Sequence, residues 1–182
     1  MKEWLKPIQR MGACEEAIKW GEEYDSAGEA WNNCERGDWM LWLCGKLSDK
    51  LASRKKLVLT ACECARLTLL YVKEGEDRPL KALETAEQWA RGENNVTLAM
   101  VRTSADAAAD AATAAAPERA AYYAAYAAYY AAAAYDATYA AAHAAAYASY
   151  AAAASRRVTL KQCADTARKH YPIAPTGKWR SS

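Results

Sequence analysis

The sequence has little of what folds commonly use for turns, strands and catalysis. Its 182 residues include no Phe, two His, five Pro and eight Gly. Alternating β-branched runs are absent, and no Asn-Gly or Asp-Gly hairpin signal joins two such runs, so a sheet protein is disfavoured. There is no nucleotide-binding glycine-rich loop and no serine in a nucleophile-elbow pattern, so no motif indicates an enzyme.

Charge and cysteine usage also exclude several classes of protein. The net charge is only +2, which argues against generic polyanion binding by the whole molecule. The six cysteines have irregular spacing and form no C-x-x-C pair, so we predict no metal site and no cofactor. We expect reduced, buried thiols in a cytoplasmic protein; a disulfide framework is the alternative, although a chain of this length does not need one. These cysteines are Cys14, Cys34, Cys44, Cys62, Cys64 and Cys163.

Long hydrophobic runs of the membrane type are missing as well. The N-terminus has no apolar core of signal-peptide length. Two uncharged stretches, 120–135 and 137–155, are separated by Asp136 and contain no Leu, Ile or Val. Alanine and tyrosine supply little insertion energy, and a carboxylate at mid-membrane is costly, so we expect no membrane span.

What the chain does have is alanine and tyrosine. There are 12 Tyr and 7 Trp. Nine of the Tyr fall between Ala105 and Ala154, a stretch of 50 residues of which 31 are Ala. Alanine is the best helix former, so this composition predicts helices.

The helix signals predict an all-α fold, an irregular antiparallel bundle of about seven or eight helices. The predicted starts are Ser26, Asp38, Ser53, Asp77 or Arg78, Asn95, Pro117 and Thr159. Gly92 is a predicted stop. We predict one domain over 1–182, made of a Trp- and Cys-rich half (1–94), Ala- and Tyr-rich helices with a C-terminal helix (95–172), and a polar tail (173–182).

The alanine–tyrosine segment is too long for the expected body. Residues 120–154 would span roughly 50 Å as one helix, whereas a domain of this size is only about 40 Å across. The segment therefore runs the full length of the body, protrudes, or breaks near Tyr135 and Asp136. At about 100° per residue, the tyrosines before and after that point occupy two neighbouring angular sectors.

The tyrosines allow three readings. In the first, alanine faces pack inside and the rings lie at the rim with their hydroxyls in water. In the second, part of the array is a binding surface, because tyrosine buries a large area with few rotors. An ice-binding helix is the third, but such helices use regularly spaced Thr, and only Thr113 and Thr138 interrupt these alanines.

The end of the chain is basic. From Ser155 onwards there are seven Lys or Arg and a single acid, Asp165. Such asymmetry is typical of contact with an acidic protein patch or a nucleic acid. Cations that stabilise a helix C-terminus, together with a solubilising tail, would give the same sequence pattern. The predicted partner-binding residues are Tyr122, Tyr126, Tyr129, Tyr139, Tyr147, Arg156, Arg157, Lys161 and Arg168.

The string CERGDWMLWL, from Cys34 to Leu43, has a structural interpretation. We expect Asp38 to cap a buried apolar helix, and Arg36 to pair with Glu15 or another acid. Trp39 and Trp42 are predicted to anchor the core. Direct contact of this turn with a partner is the alternative.

The same string, with Cys14-Glu15-x-Ala17 and Trp31 before it, resembles immunity proteins encoded beside bacterial polymorphic toxins and in phages. That family has a Cys-x-Arg-Gly-Asp-Trp-x-x-Trp core. The later strings LTACECARL, RPLKALETAEQWARGE and CADTARKHYP are similar to its second and third blocks. The resemblance implies a small, intracellular, non-enzymatic, all-helical protein that works by binding.

Phage anti-CRISPR proteins are similar only in size, biased composition and lack of a catalytic motif. Both resemblances imply one mechanism, in which a preformed surface occludes a bacterial effector such as a nuclease or nuclease–RNA complex. The alternative is direct nucleic-acid binding through the basic C-terminus and tyrosine stacking. The sequence leaves the oligomeric state open.

Overall fold

The fold is all-helical. A computed structural model describes residues 1–115, 118–136 and 139–175, and these ranges contain no strand. Three short 3₁₀ turns accompany the helices, at Glu3–Leu5, Leu69–Tyr71 and Ala153–Ser155. The α-helices are α1 Lys6–Arg10, α2 Glu15–Gly21, α3 Ala27–Asn33, α4 Gly37–Leu47, α5 Leu51–Arg66, α6 Arg78–Arg91, α7 Leu98–Ala114, α8 Arg119–Ala133, α9 Ala140–Ala151 and α10 Arg156–His170.

The predicted fold class is confirmed, but the predicted number of helices is wrong. The described residues form ten α-helices, where seven or eight were expected. One addition is α1, a single short turn whose start is marked only by Pro7 at its second position. The other arises because the alanine–tyrosine segment breaks after Ala133, close to the expected point, and continues as α9.

Two predicted helix boundaries are confirmed by their hydrogen bonds and dihedral angles. The Ser26 hydroxyl accepts from the Glu29 backbone N–H at 3.1 Å, and the Glu29 carboxylate accepts from the Asp25 N–H at 2.9 Å. Gly92 ends α6 in the left-handed region, with φ of 82°. The predicted start at Pro117 lies outside the described residues.

Four other predicted caps are wrong, each by a few residues. The caps are Arg36 in place of Asp38, Lys50 in place of Ser53, Thr97 in place of Asn95, and Ser155 in place of Thr159. In the case of Ser53, the hydroxyl lies inside the first turn and accepts from the Lys50 backbone N–H at 3.1 Å. Polar side chains one turn inside a helix can satisfy the same free backbone groups, which shifts the apparent start.

Helix α5 lies at the centre of the bundle and packs against α4, α6, α8, α9 and α10. Leu57 and Val58 on this helix are fully buried, as are Leu41 on α4, Leu83 on α6 and Val101 on α7. Alanines fill most of the remaining core, so the core contains few large side chains.

The closest packing involves α8 and α9, whose buried faces are almost entirely alanine. Alanine side chains let helix axes approach to the short end of the usual range of about 8–10 Å. A phenol ring cannot fit between two helices at that distance. The tyrosines of both helices are consequently displaced from the shared face to its edge.

A second close approach joins the N-terminal part of the chain to α10. A Cβ atom built on Gly37 would lie 2.3 Å from Cys163 Cβ and 2.7 Å from the Ala164 backbone nitrogen. The first turn of α4 therefore rests directly on the backbone of α10, and only glycine leaves room for it.

Five of the six cysteines are buried, and all six are free thiols. Burial raises the pKa of Cys34 to about 11. Burial also raises the pKa of Cys44 and Cys62 well above the ordinary thiol range. Cys14 is exposed, which corrects the expectation of burial for this residue.

Replacing Gly37 with Ala should destabilise the fold by about 2 kcal/mol, within the range for overpacking a core. The new methyl group would meet backbone atoms of α10, which cannot rotate away as a side chain could. Urea unfolding followed by far-UV circular dichroism measures the change. Gly28→Ala is the matched control, since its nearest heavy atom would be Ser26 Oγ at 4.0 Å. Equal stability of Gly37→Ala and wild type would contradict the close approach.

Candidate partner-binding surface

Seven tyrosines form one continuous network along the edge of α8 and α9. We call this network the tyrosine surface; its members are Tyr122, Tyr123, Tyr126, Tyr129, Tyr130, Tyr147 and Tyr150. Neighbouring ring centroids lie 4.7–6.1 Å apart, from the Tyr122–Tyr126 pair to the Tyr126–Tyr130 pair. Such spacings are typical of favourable aromatic pairs.

The antiparallel pairing of α8 and α9 brings the two groups of tyrosines together. Tyr123, early in α8, lies 5.4 Å from Tyr150, late in α9. Tyr130 stacks on Tyr147 at 5.1 Å with an interplanar angle of 28°. The two angular sectors predicted for one straight helix thus merge into a single surface, because the chain reverses between Ala133 and Ala140.

Arginines border one end of the tyrosine surface. The Arg156 guanidinium lies 4.7 Å from the centroid of Tyr150, and that of Arg119 lies 6.0 Å from Tyr123. Cation–π contacts of this kind hold the charge beside the rings. Between Glu118 and Asp165 the sequence has one carboxylate, Asp136, in the turn after α8.

The rings partly remove one another from water. Desolvation, followed by the effect of neighbouring phenols, raises the pKa of Tyr122, Tyr130 and Tyr147. These three groups are therefore neutral phenols at pH 7, each with a hydroxyl that can donate and accept hydrogen bonds.

The structure places most of the predicted contact residues on or beside this surface. Tyr122, Tyr126, Tyr129 and Tyr147 belong to it. Arg156, Arg157 and Lys161 lie on the exposed start of α10. Arg157 has a side chain that is 88 % exposed and pairs with Glu35 at 2.9 Å, while Lys161 approaches Asp165 at 3.7 Å.

Tyr139 and Arg168 do not lie on the tyrosine surface. Tyr139 is exposed just before α9, where the Lys46 ammonium is 4.7 Å from its ring centroid. The hydrogen bond and charge of Lys46 lower the pKa of the Tyr139 hydroxyl.

Arg168 points inward and holds the end of α3. Its Nη1 donates to the carbonyl oxygens of Trp31 at 3.0 Å and Cys34 at 2.8 Å. Its Nη2 donates to Asp165 at 2.6 Å. A cation here satisfies carbonyls left free at a helix C-terminus, so Arg168 has a structural position.

The Arg36–Trp42 turn is also held internally. Arg36 Nε and Nη2 donate to the two carboxylate oxygens of Asp38 at 2.9 and 2.7 Å, and Nη1 donates to Glu16 at 3.2 Å. This bidentate pairing occupies Asp38, which explains why it does not cap α4. Trp39 packs partly against the core beneath Arg36, whereas Trp42 is half-buried beside Lys46.

Four residues of this region escaped the sequence-based prediction: Tyr123, Tyr130, Tyr150 and Arg119. Their sequence signal was present, since all four lie in or next to the alanine–tyrosine segment. Only the reversal of the chain after α8 brings Tyr123 beside Tyr150 and Tyr130 beside Tyr147. A break at this point was one of three predicted possibilities for the segment, besides a full-length helix and a protruding one.

The described ranges show neither a metal-binding cluster nor a membrane-spanning helix. No group of three or more His, Cys, Asp or Glu is placed there to hold a metal ion. None of the helices that the structure describes combines the length and the hydropathy needed to cross a membrane.

The described residues thus form an all-helical protein with an aromatic surface that arginines border at one end. The sequence model of the Imm-5 like putative immunity protein family matches residues 49–174, more than half of the chain. The chain belongs to this family, which suggests an immunity function and implies that it binds a partner effector protein. The matched range begins after the Cys34–Leu43 string. No curated protein and no solved structure matches the chain.

Alkaline titration should reveal a late-ionising group of tyrosines. Because the folded-state pKa of Tyr122, Tyr130 and Tyr147 is raised, their contribution to stability is complete below the unfolded-state value of about 10. It is lost as the pH rises through the folded-state pKa. Ultraviolet tyrosinate absorbance should therefore show a fraction that titrates above pH 10 and becomes smaller in the double variant Tyr130→Phe, Tyr147→Phe. Tyr122 and the buried Tyr171, whose pKa values are also raised, account for the part that remains. Tyr71→Phe, outside the surface, should leave the late-titrating fraction unchanged; a single ordinary transition in wild type would contradict the prediction.

Proposed function

We propose that this protein is a non-enzymatic immunity protein that neutralises a bacterial effector by covering it with the tyrosine surface and the start of α10. A continuous tyrosine network bordered by Arg119 and Arg156, with a single carboxylate in the intervening sequence, is the observation that supports it. The effector class we propose is a nuclease or nuclease–RNA complex, met in the cytoplasm. A phage-encoded inhibitor of bacterial defence would use the same surface.

The aromatic network is suited to binding because its rings are already ordered. Each tyrosine is flanked by other rings, so little side-chain freedom remains to be lost when a partner docks. Tyrosine is also among the residues that dominate interface energetics, since it combines a large apolar area with a polar hydroxyl. The half-buried rings around Tyr126 supply area, and Tyr150, 39 % exposed, projects furthest.

The arginines determine which partner fits. Arg156, Arg157 and Lys161 form a cationic border on α10, beside a tyrosine surface that contributes no carboxylate. A partner with an acidic patch would be attracted to this border and oriented by it. The Arg157–Glu35 pair is exposed, so it can be exchanged at small cost for a carboxylate of the partner.

Loss of ring area should weaken effector binding without unfolding the chain. We expect the double variant Tyr126→Ala, Tyr150→Ala to raise the Kd for the effector by at least about tenfold, as for interface hot spots. Affinity capture and mass spectrometry identify the effector, and surface plasmon resonance then measures the Kd. Tyr71→Ala is the control, a half-buried tyrosine outside the surface. If the double variant binds like wild type, the tyrosine surface is not the interface.

Charge reversal should act mainly on the rate of association. Arg156→Glu with Arg157→Glu should slow association with the effector and remove much of its salt dependence, because exposed charges steer the encounter. Lys81→Glu on α6 makes the same change in charge per residue at an exposed position away from α10. If reversal on α6 slows association as much per residue as reversal on α10, the net charge of the protein explains the effect. The basic residues at the start of α10 would then have no specific role in association.

Nucleic-acid binding is the second candidate, favoured by arginines next to aromatic rings. The geometry supports it less well, because base stacking needs open ring faces, and Tyr147 lies at small interplanar angles to both Tyr126 and Tyr130. Fluorescence anisotropy with labelled single- and double-stranded DNA and RNA, titrated with salt, tests it. Tight binding at low salt that weakens in Tyr150→Ala would support this candidate; no binding at low salt would remove it.

A further inference from the structure

A cleft lined by tryptophans lies between the N-terminal helices and the helices α4 and α9. Its volume is about 380 Å³, within the usual range of ligand pockets. Five of the six tryptophans in the described ranges line it. The aromatic lining residues are Trp4, Trp20, Trp31, Trp39, Trp42 and Tyr139.

The lining is apolar and has no free charge. Of the described residues around the cleft, Asp38 alone carries a permanent charge, and both of its carboxylate oxygens accept hydrogen bonds from Arg36. The imidazole of His143 and the hydroxyl of Tyr139 are among its few polar groups. A cavity of this kind favours an uncharged, apolar occupant, since a charge placed there would lose its hydration without gaining a partner.

Cationic ligands are disfavoured for a second reason. The Arg36 guanidinium lies 4.2 Å from the ring centroid of Trp39, and the Lys46 ammonium lies 4.7 Å from that of Tyr139. Cations of the protein thus already use aromatic rings of the cleft. A further positive charge would be repelled by them.

Size and ring geometry favour an aromatic occupant. A cavity of about 150 Å³ is enough to hold benzene, so this cleft has room for an indole or phenol ring with its attached backbone. Trp20 and Trp39 form two tilted walls, with centroids 5.9 Å apart and planes at 59°. A third ring inserted beside them can make edge-to-face contacts with both.

The cleft adjoins the tyrosine surface through α9. Ala142, His143 and Ala146 on this helix line the cleft, while Tyr147 belongs to the tyrosine surface. The His143 ring joins the two regions, because it lies 4.8 Å from the ring of Tyr130 at an angle of 87°. A protein that covers the tyrosine surface at Tyr130 therefore comes next to His143 of the cleft lining.

We infer that the tryptophan cleft is an anchor pocket that takes one uncharged aromatic side chain, Trp or Tyr, of the effector. This inference rests on the proposed function. The anchor would be desolvated against indole rings at the side of the interface, and the tyrosine surface would exclude water next to it.

The pocket can be tested without the effector, with a short peptide that carries one aromatic residue. The probe is acetyl-Gly-Ser-Trp-Ser-Gly-amide, and the matched peptides replace its Trp with Ala or Lys. Amide and indole N–H signals of the nitrogen-15-labelled full chain are followed by NMR. The Trp peptide should move the indole signals of Trp20, Trp39 and Trp42 saturably and leave Trp89, which packs against Tyr135, in place. The Ala and Lys peptides should bind at least about tenfold more weakly.

Filling the cleft should abolish this binding. Ala146→Phe places a ring in the cleft from α9, and Ala109→Phe is the control at a half-buried alanine of α7 outside it. Loss of the indole shifts in Ala146→Phe alone supports the pocket. Should Ala146→Phe fail to fold, as its spectrum would show, Ala17→Leu fills the cleft from α2 and takes its place. Equal binding of all three peptides, or shifts that persist in a folded filled variant, overturns the inference.

The outcome separates this inference from the proposed function. If no peptide binds the wild-type cleft while the tyrosine variants lose the effector, the anchor pocket is wrong and the interface stands. If the Trp peptide binds and the tyrosine variants keep the effector, the cleft is an aromatic-binding pocket, but the proposed interface is wrong and the assignment of the occupant to the effector falls with it. Concentration-dependent dimerisation that protects the same indole signals would make a second copy of the chain the occupant, and would overturn the assignment to the effector.

Discussion

Close packing between alanine-faced helices is the constraint on which the tyrosine surface depends. The buried faces of α8 and α9 are almost entirely alanine, and such faces let two helices approach too closely for a phenol ring to lie between them. The tyrosines therefore lie at the edge, where Tyr123, Tyr126 and Tyr130 of α8 contact the tyrosines of α9. A core built from Leu and Ile would have separated the helices and divided the network. Alanine thus determines both how closely the helices pack inside the protein and where the tyrosine rings lie on its outside.

Two contacts with α10 help to attach the segment from α3 to the start of α4 to this body, in addition to the packing of α4 on α9. Gly37 allows the first turn of α4 to rest on the backbone beside Cys163, and Arg168 binds the carbonyl groups at the end of α3. Trp31 adds a hydrogen bond from its indole nitrogen to the Tyr171 carbonyl oxygen at 2.9 Å. Helix α10 consequently has two roles, because its start borders the tyrosine surface and its end holds the segment that forms one wall of the tryptophan cleft.

The sequence was sufficient for the fold class and for the outward position of the tyrosines, since both follow from composition and helical periodicity. It was insufficient wherever a long-range contact decides the outcome. Arg168 and Arg156 look equivalent as basic residues of one helix, yet only the position of α3 turns Arg168 inward. Asp38 has the chemistry of a cap, but a bidentate pairing with Arg36 competes for its oxygens. The cleft has no local signal, because its tryptophans come from helices whose arrangement the sequence pattern does not specify.

The distribution of thiols has a practical consequence for studying this protein in solution. Five cysteines are shielded within the bundle, whereas Cys14 is exposed and lies on the wall of the tryptophan cleft. Alkylating reagents attack thiolates that they can reach. A maleimide dye would accordingly attach at one position without any engineered cysteine. The unaltered chain carries its own labelling site beside the cleft, so occupancy there can be followed as a change in fluorescence.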